Sequence, residues 1–399
     1  MNVATLFLLC QDHIPIFSRT FAAVMSKKIG FDAKRAFNNV RGLGNYSRDT
    51  IRILSSHYSD NQYFLFTPKV NPQIPFAVPD NAVLKLPEKG WQKCCPSLWR
   101  TYSLADEAAK CRLDLFHGLS HELPVGIRKK NIPTVVTIHD LIFLKFPQLY
   151  PAFDRMMYRR KYLRSCEDAD KIIAVSEQTK RDLVELADVP EEKVEVVYQG
   201  CSPIFRQQIS EEQAAQILSK YGLSKGYVLS VGALEERKNH LLILRALAAH
   251  PMDIRLVIIG NETAYAPVLR QYIAEHHLET QVTLLTGVPF ADFPALYQAA
   301  SVFVYPSLFE GFGIPVLEAL CSHVPVIAAT GSCLEESGGP HSCYIAPDAP
   351  DELASQLEHI LSDAALRQEM VAHGDRYSQQ FTDEAIAQRL WSVYAPLLG

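Results

Sequence analysis

The sequence predicts an α/β protein of two doubly wound parallel-sheet domains facing each other across a cleft. Short β-branched runs alternate with helical periodicity through both halves of the chain, the pattern of a parallel sheet covered by helices. At 399 residues the chain is too long for one core, so two domains are expected. The glycine-bearing and charged segments fall just after strands, where open parallel sheets bind ligands.

In the first half, residues 29–32 read as a strand, 38–46 (NNVRGLGNY) as a loop bearing Gly42 and Gly44, and 47–57 as a helix. A strand follows at 63–67. Residues 68–100, rich in Pro, Asn and Lys, read as irregular apart from a strand at 82–86. Strands come next at 114–117 and 134–138, the latter ending at His139-Asp140. The segment 155–169 reads as a helix carrying Arg155, Arg159, Arg160, Lys161 and Arg164, followed by strand 171–175, helix 177–186 and strand 194–198.

A second unit starts after 200–205. It reads as strand 227–231, a loop 232–239 with Arg237 and Lys238, helix 240–249, and strands 255–260 and 282–287 separated by a helix. Helix 292–300, strands 302–306 and 325–328, and helices 351–362, 366–378 and 384–394 complete it. The domains are expected at 25–200 and 201–383.

Composition narrows the classes. No run approaches the ~20 apolar residues of a membrane span. The nine cysteines show no CxxC pair, which fits free thiols in a reducing cytoplasm better than a secreted disulfide framework. No metal-ligand spacing appears. Residues 25–200 hold 27 Lys+Arg against 21 Asp+Glu, and residues 201–399 hold 11 against 22. A basic first half is compatible with an anionic surface or acceptor, or with a merely uneven distribution. Nothing points to nucleic acid. Residues 1–24 make a poor signal peptide, with an apolar run at 3–10 and no basic flank before it. Met25 precedes SKKIGFD and reads as the natural start, with 1–24 a weakly ordered extension.

One stretch organises the chain: FEGFGIPVLEAL at 309–320. It reads as strand, tight loop, helix. Gly311 and Gly313 permit unusual backbone angles and a close approach, and Pro315 suits a helix start. The free N–H groups there form an anion site. Glu310 and Glu318 would repel a bare phosphate, but a carboxylate accepts two hydrogen bonds from a diol. A phosphate joined to sugars satisfies both. Each feature has a plainer alternative: surface glutamates, a solvated Arg237–Lys238 turn, a helix cap at His139-Asp140, a simple Gly42–Gly44 turn, a solvated basic helix.

Taken together in order, FEGFGIPVLEAL with its Glu-x7-Glu spacing, VGALEERKN, TIHDLIFLKFP, AVSEQTKRDL, VVYQGCSPIF and Gly42-Leu-Gly44 resemble the retaining nucleotide-sugar glycosyltransferases of family 4, of GT-B fold. The resemblance spans residues 27–396. It implies that Arg237 and Lys238 neutralise the donor diphosphate, Glu318 binds the ribose hydroxyls and Glu310 holds the transferred sugar. Backbone from Gly311 through Phe312 and Gly313 to Ile314 would touch sugar and phosphate. Gly287 and Val288 would lie near the base, His139 would reach toward the sugar, and Gly44 would approach the phosphate. The terminal helix, 384–399, would pack back on the first domain. Two positions depart from the family pattern: His323, where glycine is usual, and Asp383, where an aromatic residue is usual.

The resemblance implies front-face transfer with retention, no metal, and no cofactor beyond a GDP- or UDP-linked sugar donor. Glu310 as a nucleophile is the competing mechanism. The stretches HDLIFLKFP and KIGFDAK look most like bacterial mannosyltransferases of surface polysaccharide synthesis, which leans to GDP-mannose over a UDP-hexose. The acceptor would be a glycan or lipid-linked glycan of lipopolysaccharide, met in the cytoplasm or peripherally at the inner membrane face. A non-catalytic sugar-nucleotide-binding subunit and an epimerase of the same fold are the alternatives. A pyridoxal-phosphate phosphorylase is disfavoured, because residues 201–399 hold only Lys220, Lys225 and Lys238.

Overall fold

Parallel strands buried on both faces need continuous apolar runs, and the runs seen in the sequence supply them. The computed structural model describes residues 26–88 and 90–399, so the expectations for residues 1–24 and Met25 lie outside the described residues. In the first domain, β1 (Lys28–Asp32), β2 (Gln62–Phe66), β3 (Ala82–Lys85), β4 (Leu115–Gly118), β5 (Thr134–Ile138), β6 (Lys171–Ala174) and β7 (Val194–Val196) form one sheet in the order 3-2-1-4-5-6-7. In the second, β8 (Tyr227–Val231), β9 (Leu256–Ile259), β10 (Val282–Leu285), β11 (Ala300–Tyr305), β12 (Val326–Ala329) and β13 (Cys343–Ile345) take the order 10-9-8-11-12-13. Every pairing is parallel, from Ile29↔Tyr63 and Ile29↔Leu115 to Phe303↔Val326. Each sheet therefore has its switch point beside its first strand, between β1 and β4 and between β8 and β11.

Six helices position the site and join the domains: α1 (Lys34–Asn38), α2 (Gly42–His57), α3 (Ala152–Asp168), α4 (Glu177–Ala187), α5 (Ile314–Cys321) and α6 (Asp383–Leu398). One buried cluster spans both domains, running from Ile29 and Phe31 through Val197 and Phe205 to Tyr305 and Val316. Two others fill the outer faces, one around Phe66 and Trp99, the other around Leu244 and Ile258. The last helix, α6, lies against α2 of the first domain. Trp391 stacks on Tyr58 with centroids 4.1 Å apart, and the Tyr394 hydroxyl meets His117 Nδ1 at 2.5 Å.

Several expectations need correction. The glycine loop at 38–46 is not a loop throughout: α2 starts at Gly42 and takes Gly42 and Gly44 into its first turn. Glycine weakens helices, so pattern alone disfavours one there. At Gly44 close packing decides, since a Cβ would lie 1.8 Å from the Asn39 carbonyl oxygen. Residues 90–94 and 96–100 are helical rather than irregular, and helix Leu104–Lys110, helix Glu211–Lys220 and strand β13 escaped the sequence reading.

Both departures from the family pattern have local explanations. Asp383 opens α6 and pairs with Arg52 of α2, at 2.5 Å. His323 stands just past a helix end with φ +60°, the left-handed conformation that glycine adopts without strain. Replacing His323 by Gly is therefore expected to raise stability by about 1 kcal/mol. An unchanged or lower melting temperature would contradict that account.

Candidate active site

Adjacency of β8 and β11 brings the charged residues together. The loop after β8 ends in a helical turn, Glu236–Lys238, and the loop after β11 carries Glu310. Lys238 Nζ lies 2.5 Å and Arg237 Nη1 2.9 Å from Glu310 Oε1. Ser307 Oγ donates to the same oxygen at 2.6 Å and Tyr305 OH at 3.0 Å, and Lys238 Nζ also donates to Tyr305 OH at 2.8 Å. None of these contacts engages Glu310 Oε2. Burial alone would raise the Glu310 pKa, but Lys238 and Arg237 overcome it and hold the carboxyl at about 2. Arg237 also pairs with Glu235 at 2.7 Å.

Beyond Glu310 the chain enters α5 through Gly313, whose φ of +99° only glycine adopts readily. Among the described residues, the Phe312 and Gly313 N–H groups have no acceptor in the protein. They leave the anion site of a helix start open. The Phe312 side chain is buried in the core, stacked on Tyr198 at 5.5 Å, so only its backbone is available there. Ile314 and Glu318, further along α5, line a cavity of about 600 Å³. Its opposite wall comes from the first domain: Asn45, Arg48 and Asp49 of α2 and the apolar stretch 74–77. Glu318 accepts from Tyr297 OH at 2.9 Å, and burial pushes its pKa up to about 7.

The first domain meets this loop at His139. A Cβ at Gly311 would lie 2.0 Å from the His139 carbonyl oxygen, so Gly311 serves close contact between the domains. His139 is buried and held neutral, its pKa near 4 chiefly through burial. Its Nε2 bonds the Leu119 carbonyl at 3.0 Å, and its Nδ1 accepts from Gln199 Nε2 at 3.2 Å. Both ring nitrogens are thus engaged within the first domain. Gly44 faces Asn39, whereas Gly42 lines the cavity. Gly287 and Val288 sit in the loop after the edge strand β10 and do not line the cavity; Phe290 does.

Three comparisons with known proteins bear on this arrangement. Residues 40–203 match the family model for Glycosyltransferase Family 4 and residues 215–376 that for glycosyl transferases group 1. Over 286 residues the chain is 30% identical to O-antigen chain mannosyltransferase B of Escherichia coli, a match covering 70% of this chain and 74% of that protein. The chain belongs to glycosyltransferase family 4. The serotype-specific mannosyltransferase WbdA of Escherichia coli is 28% identical over 289 residues, which is 68% of this chain but only 34% of WbdA. Among solved structures, Anabaena Alr3699/HepE in complex with UDP superimposes with a TM-score of 0.71 at 17% identity, over 93% of this chain and all of that one. The two facing sheets are those of the GT-B fold.

Sequence reasoning on this glycosyltransferase missed Tyr305, Ser307, Tyr297 and Gln199, each of which holds a predicted site residue in place. Their types carry no signal of their own; the helix Phe293–Gln298 brings in Tyr297, β11 and the loop after it Tyr305 and Ser307, and the linker after β7 Gln199. Among the described residues, no group of three His, Cys, Asp or Glu side chains could hold a metal ion.

Glu318 yields a pH test. Its pKa is raised on folding from 4.5 to about 7, so the fold prefers the acid. Its favourable contribution is full below about pH 4.5 and is lost as pH rises through 7, a swing on the order of 3 kcal/mol. In the nucleotide-free protein, Glu318→Gln should gain melting temperature relative to wild type between pH 5 and 8. A constant difference across that range would refute the assignment.

Proposed function

We propose that this glycosyltransferase moves a hexose, mannose from GDP-mannose, onto a glycan or lipid-linked glycan acceptor with retention and without a metal. The observation that carries the reading is the shared hold of Lys238 and Arg237 on one oxygen of Glu310, beside the open N–H groups that begin α5. The mannose lean is supported by the relatives, which are named as O-antigen and serotype-specific mannosyltransferases.

The chemistry comes from the charges. The acceptor hydroxyl oxygen bonds to the anomeric carbon as that carbon's bond to phosphate oxygen breaks, and the hydroxyl proton passes to the leaving phosphate. Negative charge grows on the nucleoside diphosphate, where Lys238, Arg237 and the helix start stabilise it. The two cations supply what a metal would otherwise supply. A carboxyl held near pH 2 is a weak base and a weak nucleophile, which favours front-face transfer over a covalent intermediate on Glu310. Glu310 Oε2 is left for a sugar hydroxyl, and Glu318, ionised, takes the ribose diol. His139 would meet the sugar by exchanging its bond to Gln199.

Peripheral contact with an anionic membrane is part of the same reading. The first turns of α3 expose Phe153 (68%) and Met156 (59%) beside Arg159 and Arg160, an apolar and basic surface of the kind that settles on anionic lipid.

Lys238→Ala should lower kcat by about 10²–10³-fold, the effect of losing one oxyanion contact, with donor turnover measured in EDTA. Near-normal turnover in that variant removes the phosphate role, and loss of wild-type activity in EDTA removes metal independence. A thermal-shift panel of GDP, UDP and ADP should show the greatest stabilisation by GDP. Wild-type protein should sediment with phosphatidylglycerol vesicles at low salt and release at high salt, and Phe153→Ser/Met156→Ser should not sediment.

A further inference from the structure

Each sheet has its crevice at the switch point, where ligands bind in open parallel sheets. In the second domain that crevice holds two adjacent cations after the first strand, Arg237 and Lys238, and an acid after the fourth, Glu310. The first domain repeats the plan, with Lys34 and Arg35 after β1 and Glu122 after β4. The pairing differs. Arg100 holds Glu122 at 2.7 Å and Asp32 at 2.6 Å, with Lys161 4.0 Å from Glu122. Among the described residues, the Lys34 and Arg35 side chains make no ion pair or hydrogen bond. Four cations therefore stand about two carboxylates, and both carboxylates are committed to Arg100. Burial, with Arg100 and Arg35 close by, lowers the Lys34 pKa, and Glu122 and Asp32 offset only part of that.

This crevice adjoins the donor site. The His121 ring, after β4, lies 5.1 Å from the His139 ring and stacks on Tyr162 at 4.5 Å. On its other side, the His139 backbone meets Gly311 of the donor loop. Neither imidazole adds to the positive charge, because burial keeps both neutral.

We propose that the crevice between β1 and β4 binds a phosphate group of the acceptor through Lys34 and Arg35. Two adjacent cations without an ion-pair partner match a phosphate monoester or a diphosphate better than a single carboxylate. The proposal rests on the glycosyl-transfer reading and adds the acceptor's charge to it. A phosphate held there lies across His139 from the donor, so an acceptor sugar attached to it extends toward the anomeric carbon.

Two titrations separate the proposal from its parent reading. In the first, wild-type protein is titrated with GDP and with UDP. In the second, with the tighter nucleotide saturating, inorganic pyrophosphate is added. Wild type should bind pyrophosphate as a second event. Lys34→Ala/Arg35→Ala should weaken that event at least tenfold while nucleotide affinity stays within twofold, which also reports that the variant is folded. Should the double variant lose nucleotide binding, Lys34→Gln alone decides, with a loss of at least threefold expected. Farnesyl diphosphate binding at least tenfold more tightly than pyrophosphate would assign the phosphate to a lipid-linked acceptor, and equal affinity to a phosphorylated sugar. No second event in wild type, or one that survives substitution, overturns the proposal and leaves the donor site standing. Failure of the first titration overturns the donor reading itself.

Discussion

Two cations hold one buried carboxylate where β8 and β11 end, and the rest of the site is arranged around that knot. A carboxylate as buried as Glu310 would be protonated on its own; Lys238 and Arg237 keep it charged, and Tyr305 and Ser307 donate to the same oxygen. The knot also fixes Lys238 and Arg237, whose long side chains would otherwise sample many rotamers. Positive charge is thereby ordered before any donor arrives, beside N–H groups that already point outward. This preorganisation depends on the switch point, because only there do the loops after the first and fourth strands become neighbours.

Beside the shared apolar cluster, a set of close polar contacts joins the second domain to the first. Gly311 packs on the His139 carbonyl, and Thr179 Oγ1 lies 3.3 Å from both the His139 and Gly311 carbonyl oxygens. Glu336 accepts from the Glu177 and Gln178 N–H groups at 2.6 and 2.9 Å, so an acid of the second domain caps α4 of the first. From the far side α6 ties the domains together through Arg52, Tyr58 and His117. These contacts are hydrogen bonds, an ion pair, a ring stack and a steric fit. The cavity beside Glu318 takes its shape from the relative position they set.

Local signals in the sequence are strong where burial is two-sided. The runs at β5 and β8 could be read directly, as could the strand–loop–helix unit around Glu310 and the cations after β8. Glycine misled at Gly44, because a position that demands glycine for close packing looks in sequence like a position that demands a turn. His323 carries a converse lesson: the left-handed helix end persists without the residue that favours it, because tertiary packing outweighs a local cost of about 1 kcal/mol.

By itself the sequence determined most of the strands and helices and their order, the two-sheet architecture, and the residue types available for an anion joined to alcohols. Hydrophobic periodicity and turn chemistry act within a few residues, so they are written locally. Tertiary structure alone decided that Lys238 and Arg237 share Glu310, that Tyr297 reaches Glu318, and that Gly311 rests on His139. It also decided that Lys34 and Arg35 stand without a carboxylate while Arg100 takes both. Those pairings join residues tens to hundreds of positions apart, and burial and charge set their strength only after the sheets have brought them together.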